Sequence, residues 1–246
     1  VYQHAIPCED GEDLSGKVSK IMSTRDAEKE IRVYDELPLE LIDPEEKFTI
    51  YKPRSCRVQP KYQAKMASGC KVALDKPVNL QYTDGGESYY SYISHELYAE
   101  RLFVPLLNIF YIVSILNGDG IYHMDIKSVN IVIKAGQARL IDYGLTIETE
   151  PKSLSRYGAV YPYWPPELGL LVGNHLHIQK YRESLDMYRF LDKLNRWGIN
   201  TTDLMRSIVN SFASNLGSLP VREQKLEVLK KADVWGLAMT LLEVAD

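Results

Sequence analysis

An α+β fold, with strands gathered in the first third and helices dominating the rest, is the class this sequence predicts. Three observations predict it. Short strand-like stretches fall early, at Val1–Ile6, Gly16–Met22 and Val78–Glu87, the last running into a glycine turn. Longer stretches with helical spacing follow, at Ser94–Asn117 and around Leu185–Phe212. Between them lies a charged loop, His123-Met124-Asp125-Ile126-Lys127-Ser128-Val129-Asn130, with Asp142-Tyr143-Gly144 a dozen residues on.

Composition sets the bounds. The 246 residues are 45% apolar and 25% charged, an ordinary soluble balance with room for one two-lobed domain or two small ones. A net charge of −4 argues against a general nucleic-acid binder. The three cysteines, Cys8, Cys56 and Cys70, are odd in number and at no metal-like spacing. They suggest a reducing compartment, intracellular and cytoplasmic, and no disulfide framework. The apolar run Leu102–Leu116 is broken by Pro105 and Asn108, is too short to cross a bilayer, and reads as a buried core helix. No signal peptide is visible, and a first residue of Val suggests an excerpt of a longer protein.

The elements follow in order. Cys8–Ser15 is acidic and turn-like. Gly16–Met22 alternates as a strand, with Val18, Lys20 and Met22 on one face. A lysine on a half-buried strand needs a partner, because an unpaired buried ammonium is costly. Ser23-Thr24-Arg25-Asp26 has the spacing of a helix-opening capping box; Ala27, Ile31 and Tyr34 form the apolar face, and Pro38 closes the helix. Glu30, at the edge of that face, is the expected partner of Lys20, with Glu28 as a second choice. Gly11–Val18 has the glycine and lysine spacing of a phosphate-binding loop. Val18 stands where that loop needs Ser or Thr, and Glu12 and Asp13 would repel phosphate, so it is a decoy. Gly85-Gly86 reads as a link between elements or as a β-hairpin turn. Gly118-Asp119-Gly120 ends the helix begun at Ser94. Ile131-Val132-Ile133 and Ala138-Arg139-Leu140-Ile141 read as a hairpin that returns Asp142 beside Asn130. Leu185, Tyr188, Leu191 and Leu194 have helical spacing; Asn200-Thr201-Thr202-Asp203 reads as a cap, and Leu204, Ile208 and Phe212 follow on one face.

The charged loop carries the chemistry. A carboxylate to take a hydroxyl proton, a cation near a moving phosphoryl group, and two oxygen ligands for magnesium are what phosphoryl transfer needs. Asp125, Lys127, Asn130 and Asp142 supply that set. The loop resembles the catalytic loop of the protein kinase family, His-Arg-Asp-Leu-x-x-x-Asn followed by Asp-Phe-Gly, with Tyr143 in place of Phe.

The resemblance implies a two-lobed α+β domain, a small β-rich N-lobe over 1–82 and a helical, incomplete C-lobe over 83–246, binding ATP and Mg2+ between them. It makes Asp125 the proton acceptor and Lys127 the charge balance on the γ-phosphate. Asn130 and Asp142 become the metal ligands, and Lys20 paired with Glu30 the holder of the phosphates. In Val78–Glu87, which resembles the strand linking kinase lobes, Leu80 guards the pocket, Gln81 and Thr83 offer backbone groups to adenine, and Glu87 is the ribose-contacting acid. His123 and Gly144 are structural. Tyr163-Trp164-Pro165-Pro166-Glu167 resembles the family's Ala-Pro-Glu segment end. Asp233-Val234-Trp235 resembles the start of the central C-lobe helix, whose Asp braces the catalytic loop, although an acid at a helix N-terminus has a reading of its own in the helix dipole. The family's glycine-rich loop is expected upstream of Val1. The substrate implied is a protein hydroxyl, Ser or Thr on the strength of Lys127.

Departures from the pattern matter. Met124 replaces the Arg that answers an activation-loop phosphate, so the hydroxyl-rich stretch of Thr146, Thr149, Ser153, Ser155 and Tyr157 has lost its usual charge partner. Val160 stands where a Ser/Thr kinase has the Thr that contacts Asp and Lys. Residues 168–232 form a helical insertion with ten basic and six acidic side chains, suited either to packing on the lobe or to docking an acidic partner. That insertion and the Pro-Pro-Glu resemble kinases of large DNA viruses, which would place the protein in host cytoplasm. Glu167 has no expected partner. No membrane partner is expected. Two other readings share the fold: a pseudokinase scaffold, and a small-molecule phosphotransferase.

Overall fold

The computed structural model describes residues 5–9, 14–62, 77–96, 98–148, 161–171, 192 and 194–244. The first sheet has the order β1-β3-β2, built from β1 (Lys17–Met22), β3 (Val78–Thr83) and β2 (Arg54–Arg57), with both pairings antiparallel. Lys20 lies opposite Leu80 and Lys17 opposite Thr83. Helix α1 (Thr24–Glu36) starts directly after β1 because Ser23 caps it: its hydroxyl accepts the Asp26 amide at 3.1 Å. Ala27, Glu30 and Tyr34 form the buried face of α1.

After the short helix α2 (Leu39–Ile42), the buried carboxylate of Asp43 organises the loop. It accepts the amides of Lys47, Phe48 and Thr49 at 3.0, 2.8 and 2.9 Å. The loop in turn grips the second half of the chain. The Phe48 carbonyl accepts the Leu140 amide at 2.8 Å, and the Glu46 carbonyl accepts Arg139 Nε at 2.9 Å.

Two expectations about the N-terminal stretch change. Val1–His4 lie outside the described residues, and Ala5 and Ile6 are not in a strand. Side chains hold Ile6 instead: its amide donates to Ser19 Oγ at 2.8 Å, and its carbonyl accepts Asn79 Nδ2 at 2.8 Å and Gln81 Nε2 at 3.0 Å. That anchoring runs Cys8 beside Val58 and brings it to Cys56 of β2, with which it forms a disulfide, Cα to Cα 5.8 Å. The expected lack of a disulfide is therefore corrected. The pair is 48 residues apart, and only the fold makes it adjacent.

The glycine turn is a link, not a hairpin. β4 (Glu87–Ser88) pairs with β6 (Ile131–Lys134), so the chain leaves the first sheet for a second, ordered β4-β6-β7 with β7 at Gln137–Leu140. Gly86 has φ +94°, and a Cβ there would sit 1.9 Å from the Ile133 carbonyl oxygen, so only glycine fits.

Helix α3 (Tyr89–Ile93) is capped by Ser88, and Ser94 and Glu96 fold back onto Ser91 and Tyr92. The long helix α4 therefore runs over Ala99–Gly118 and not from Ser94. Leu106, Ile109, Ile112, Val113 and Leu116 are buried in the main core, but Val104 and Leu107 are 58% and 63% exposed. The expectation of a buried core helix holds for one face only. The run Leu102–Leu116, expected to be too short to cross a bilayer, is extended by the helix to Glu100–Gly118, which is, among the described residues, the one stretch long and apolar enough by length and composition to do so. A third, two-stranded sheet joins β5 (Ile121–Tyr122) to β8 (Ile147–Glu148).

The C-terminal region adds α5 (Pro166–Leu171), α6 (Thr201–Ser211) and α7 (Val221–Val244). Asn200 caps α6, its side-chain oxygen accepting the amides of Thr202 and Asp203 at 3.0 and 3.2 Å. Leu185, Tyr188 and Leu191 lie outside the described residues. The boundary at 232 is corrected. Asp233 stands in the middle of α7, because Val228, Leu229 and Ala232 form one buried stripe leading into it. The end of the supposed insertion is thus continuous with the helix it was meant to precede. The acid-at-the-N-terminus reading of Asp233 falls with it.

Candidate active site

The hairpin β6–β7 returns the chain as its spacing predicts, and the Ile141 amide donates to the Asn130 carbonyl at 3.0 Å. Asp125, Lys127 and Asn130 converge. Asp125 Oδ1 and Oδ2 each accept Lys127 Nζ at 3.0 Å, and Oδ2 also accepts Asn130 Nδ2 at 2.7 Å. The same Asn130 Nδ2 holds the Asp125 carbonyl at 2.9 Å, which fixes the loop about its own carboxylate.

A second cluster forms on the strand side. Lys20 Nζ donates to both carboxylate oxygens of Glu30, at 2.8 and 2.7 Å, and lies 3.8 Å from Asp142 Oδ2. Lys20 thus has the partner its half-buried position demanded, and it is Glu30, not Glu28. Asp142 has a left-handed backbone, φ 65°, and its carboxylate remains 40% exposed beside the ammonium.

Met124 is also left-handed, φ 65°. Such strain persists where neighbours over-determine it. Here the Met124 amide donates to Asp233 Oδ1 at 2.8 Å, and its carbonyl accepts Trp164 Nε1 at 2.6 Å. The other Asp233 oxygen takes the His123 amide at 2.8 Å. Burial pushes the Asp233 carboxyl up to about 6, against the pull of these two amides. Gly236, one turn on, lets α7 approach closely, since a Cβ there would lie 2.9 Å from the Ile126 carbonyl oxygen. His123 is fully buried, and burial pushes its imidazole down to about 4. Its Nδ1 accepts the Asp125 amide at 3.2 Å and its Nε2 faces the Ile141 carbonyl at 3.2 Å, so the neutral ring with the proton on Nε2 satisfies both.

The strand β3 residues divide. Leu80 is buried opposite Lys20. Gln81 is flanked by Ser19 on one side and Arg54 on the other, so its backbone sits inside the sheet and does not suit the edge role expected of it. Thr83 is exposed and lies past the end of β2. Glu87 bonds His95 Nε2 at 2.8 Å at the surface. Gly144 lies in a tight turn over Tyr143–Leu145, where an added Cβ would stand 3.3 Å from Asp142 Oδ1. Glu167 lies on α5, where burial raises its carboxyl and Lys231 of α7 opposes that rise.

Two tyrosines belong to the site that the sequence reading passed over. Tyr82, one inward position beyond Leu80, donates its hydroxyl to Glu30 Oε1. A period of two along β3 was the signal for it. Tyr161 donates to Asp125 Oδ1 at 2.6 Å and accepts Lys127 Nζ at 3.0 Å. Val160 and the hydroxyls of Thr149, Ser153, Ser155 and Tyr157 lie outside the described residues.

Asp142 and Asn130 suit a hard divalent cation. Among the described residues, the Asn130 amide nitrogen is used twice while no hydrogen bond is made by its oxygen, and Lys20 is the charged partner beside the Asp142 carboxylate.

No family model matches the chain. It is 33% identical over 90 residues, 34% of its length, to sperm motility kinase 2A of Mus musculus. It is 38% identical over 65 residues, 26% of its length, to a probable serine/threonine-protein kinase of Dictyostelium discoideum. The matched stretches span 17% and 10% of those relatives. A solved yeast RNA Pol II CTD kinase complex aligns over 64% of this chain and 47% of its own, at TM-score 0.42 and 15% identity. Neither sequence relative is viral, and the resemblance to viral kinases finds no support in them.

Proposed function

We infer that this protein kinase domain binds ATP with a divalent metal, magnesium by our reading, and transfers the γ-phosphoryl group to a serine or threonine of a protein. The single observation that carries the reading is the pairing of two clusters. Lys20, bidentate on Glu30, faces Asp142 at 3.8 Å, while Asp125 is held by Lys127 and Asn130 on the loop whose Asn130 backbone bonds Ile141, the neighbour of Asp142. The serine/threonine assignment leans on Lys127 and on what the two relatives are called.

Each residue then has a task. Asp125 accepts the proton of the substrate hydroxyl, which must approach within about 2.6–3.2 Å of a carboxylate oxygen. Lys127 neutralises charge that develops on the phosphoryl oxygens, and Lys20, immobilised by Glu30, which Tyr82 holds in turn, does the same for the phosphates behind it. Asn130 and Asp142 would hold the metal, which would supply positive charge to offset that of the phosphates. Asp233 and Trp164 keep the strained Met124 turn in place, which fixes the backbone that leads into Asp125. The excess of basic over acidic residues in 168–232 suits an acidic partner.

Asp142→Ala tests the reading. The folded variant should lose transfer of radiolabelled phosphate from ATP to a protein acceptor, together with the magnesium-dependent part of its thermal shift with ATP. Transfer that persists in Asp142→Ala removes Asp142 from the mechanism. A wild-type chain that gains melting temperature with ATP yet labels no acceptor is a pseudokinase.

A further inference from the structure

Lys20 stands between two carboxylates. Its Nζ donates to both oxygens of Glu30, at 2.8 and 2.7 Å, and lies 3.8 Å from Asp142 Oδ2. One ammonium cannot serve both equally. The closer it comes to Asp142, the more it neutralises a carboxylate that a hard divalent cation needs charged and open. The balance turns on how firmly Glu30 is held. Glu30 reaches the site from α1 and is buried, while the Asp142 carboxylate is 40% exposed. Among the described residues, the one other group bonded to Glu30 is the Tyr82 hydroxyl, which donates to Oε1. Sheet register makes this contact. Tyr82 lies opposite Val18 and Leu80 opposite Lys20, so Tyr82 and Lys20 share the face that meets α1. The Tyr82 ring also packs on Tyr34 of α1, with centroids 6.3 Å apart. Ring and hydroxyl therefore grip the same helix.

We propose that Tyr82 is a positioning residue for the metal site: by fixing Glu30 it keeps Lys20 off Asp142. The proposal rests on the ATP and metal reading above. With the hydroxyl in place, Glu30 takes two of the three ammonium donors and leaves the third to face the phosphates. Without it, Glu30 Oε1 loses a donor, the carboxylate is free to turn, and Lys20 closes on Asp142. Tyr82 itself touches neither nucleotide nor metal in this scheme. Its effect belongs to the metal dependence of binding and not to recognition of the base.

The experiment titrates the full chain calorimetrically with ATP, once with magnesium and once with EDTA, and with adenosine as a probe that has no phosphates. The ratio of the two ATP affinities measures what the metal contributes. Tyr82→Phe keeps the ring on Tyr34 and should cut that ratio about tenfold, the scale of one hydrogen bond to a charged group. Adenosine affinity should stay as in wild type, whereas a merely structural role would weaken ATP and adenosine together. In a Lys20→Met background the same substitution should leave the ratio unmoved, because the ammonium that transmits the effect is gone. Glu30→Gln releases Lys20 by the other route, through loss of charge, and should cut the ratio too; it carries the test if Tyr82→Phe does not fold. An unchanged ratio in either folded variant overturns the proposal and leaves the kinase reading standing. So does a loss of adenosine affinity equal to that of ATP. A wild-type chain that binds ATP equally well with magnesium and with EDTA sinks both the proposal and the metal reading beneath it.

Discussion

Tyr143→Phe should make this protein more stable. The Tyr143 side chain is fully buried, and among the described residues its hydroxyl has no hydrogen-bond partner. A buried hydroxyl left unpaired costs about 1–3 kcal/mol, the desolvation that no contact offsets. Removing the oxygen leaves a void of about 10–15 Å³, which costs about 0.3 kcal/mol at about 24 cal/mol per Å³. The ring contacts survive, since Tyr34 and His123 meet the ring edge-on at 5.6 and 4.9 Å and neither touches the hydroxyl through a hydrogen bond. The net gain is about 1–2.5 kcal/mol, and for a chain of this length each kcal/mol moves the melting temperature by about 2–4 °C. Urea unfolding with an unchanged slope reads the difference directly. A midpoint equal to or below wild type would refute the claim that this hydroxyl is an uncompensated burial.

Other outcomes follow from the same geometry. Gly86→Ala should cost more than about 3 kcal/mol, since its Cβ would overlap the Ile133 carbonyl oxygen in a left-handed backbone; a urea midpoint within error of wild type would contradict the fit. Stability from neutral His123, whose folded value is depressed to about 4, is present above about pH 6.5 and lost as pH falls through 4. Asp233 works oppositely: raised to about 6, its contribution is present below about pH 3.8 and lost as pH rises through 6. The two offset each other between pH 6 and 4, so Asp233→Asn should show a steeper loss on acidification than wild type, by about 2–3 kcal/mol over that window, in melts taken at each pH. Reducing the Cys8–Cys56 bond, which closes a 48-residue separation, should lower stability by about 3–4 kcal/mol, measured as melting with and without reductant.

Much of the site was legible because its members are close in sequence or tied by period. His123 to Asn130 is one loop, and a two-stranded hairpin fixes where Asp142 returns. Lys20 was marked by its misfit, a cation on a half-buried strand, and the helix that answers it starts at the capped Ser23. What escaped were contacts set by the path of the chain. Cys8 meets Cys56 only because side chains of β3 hold Ile6. Counting back from Glu167 pointed to Val160, but the hydroxyl on Asp125 belongs to Tyr161, since counting assumes a fixed loop path. The register of β3 could not be read without its partners, so Gln81 looked like an edge residue while sitting between two strands. The apparent break before Asp233 reflected expected helix length, and the burial stripe through Val228 and Ala232 overrode it.

The side chain of Met124 is 2% exposed and packs in an apolar cluster with Tyr122, Ile147, Trp164, Leu168 and Leu216. Restoring arginine at this position would bury a guanidinium among hydrocarbon, at a cost of several kcal/mol unless a counter-charge arrived with it. A cation at position 124 would therefore call for changes in the neighbours packed on it as well, Tyr122, Ile147 and Trp164 among them.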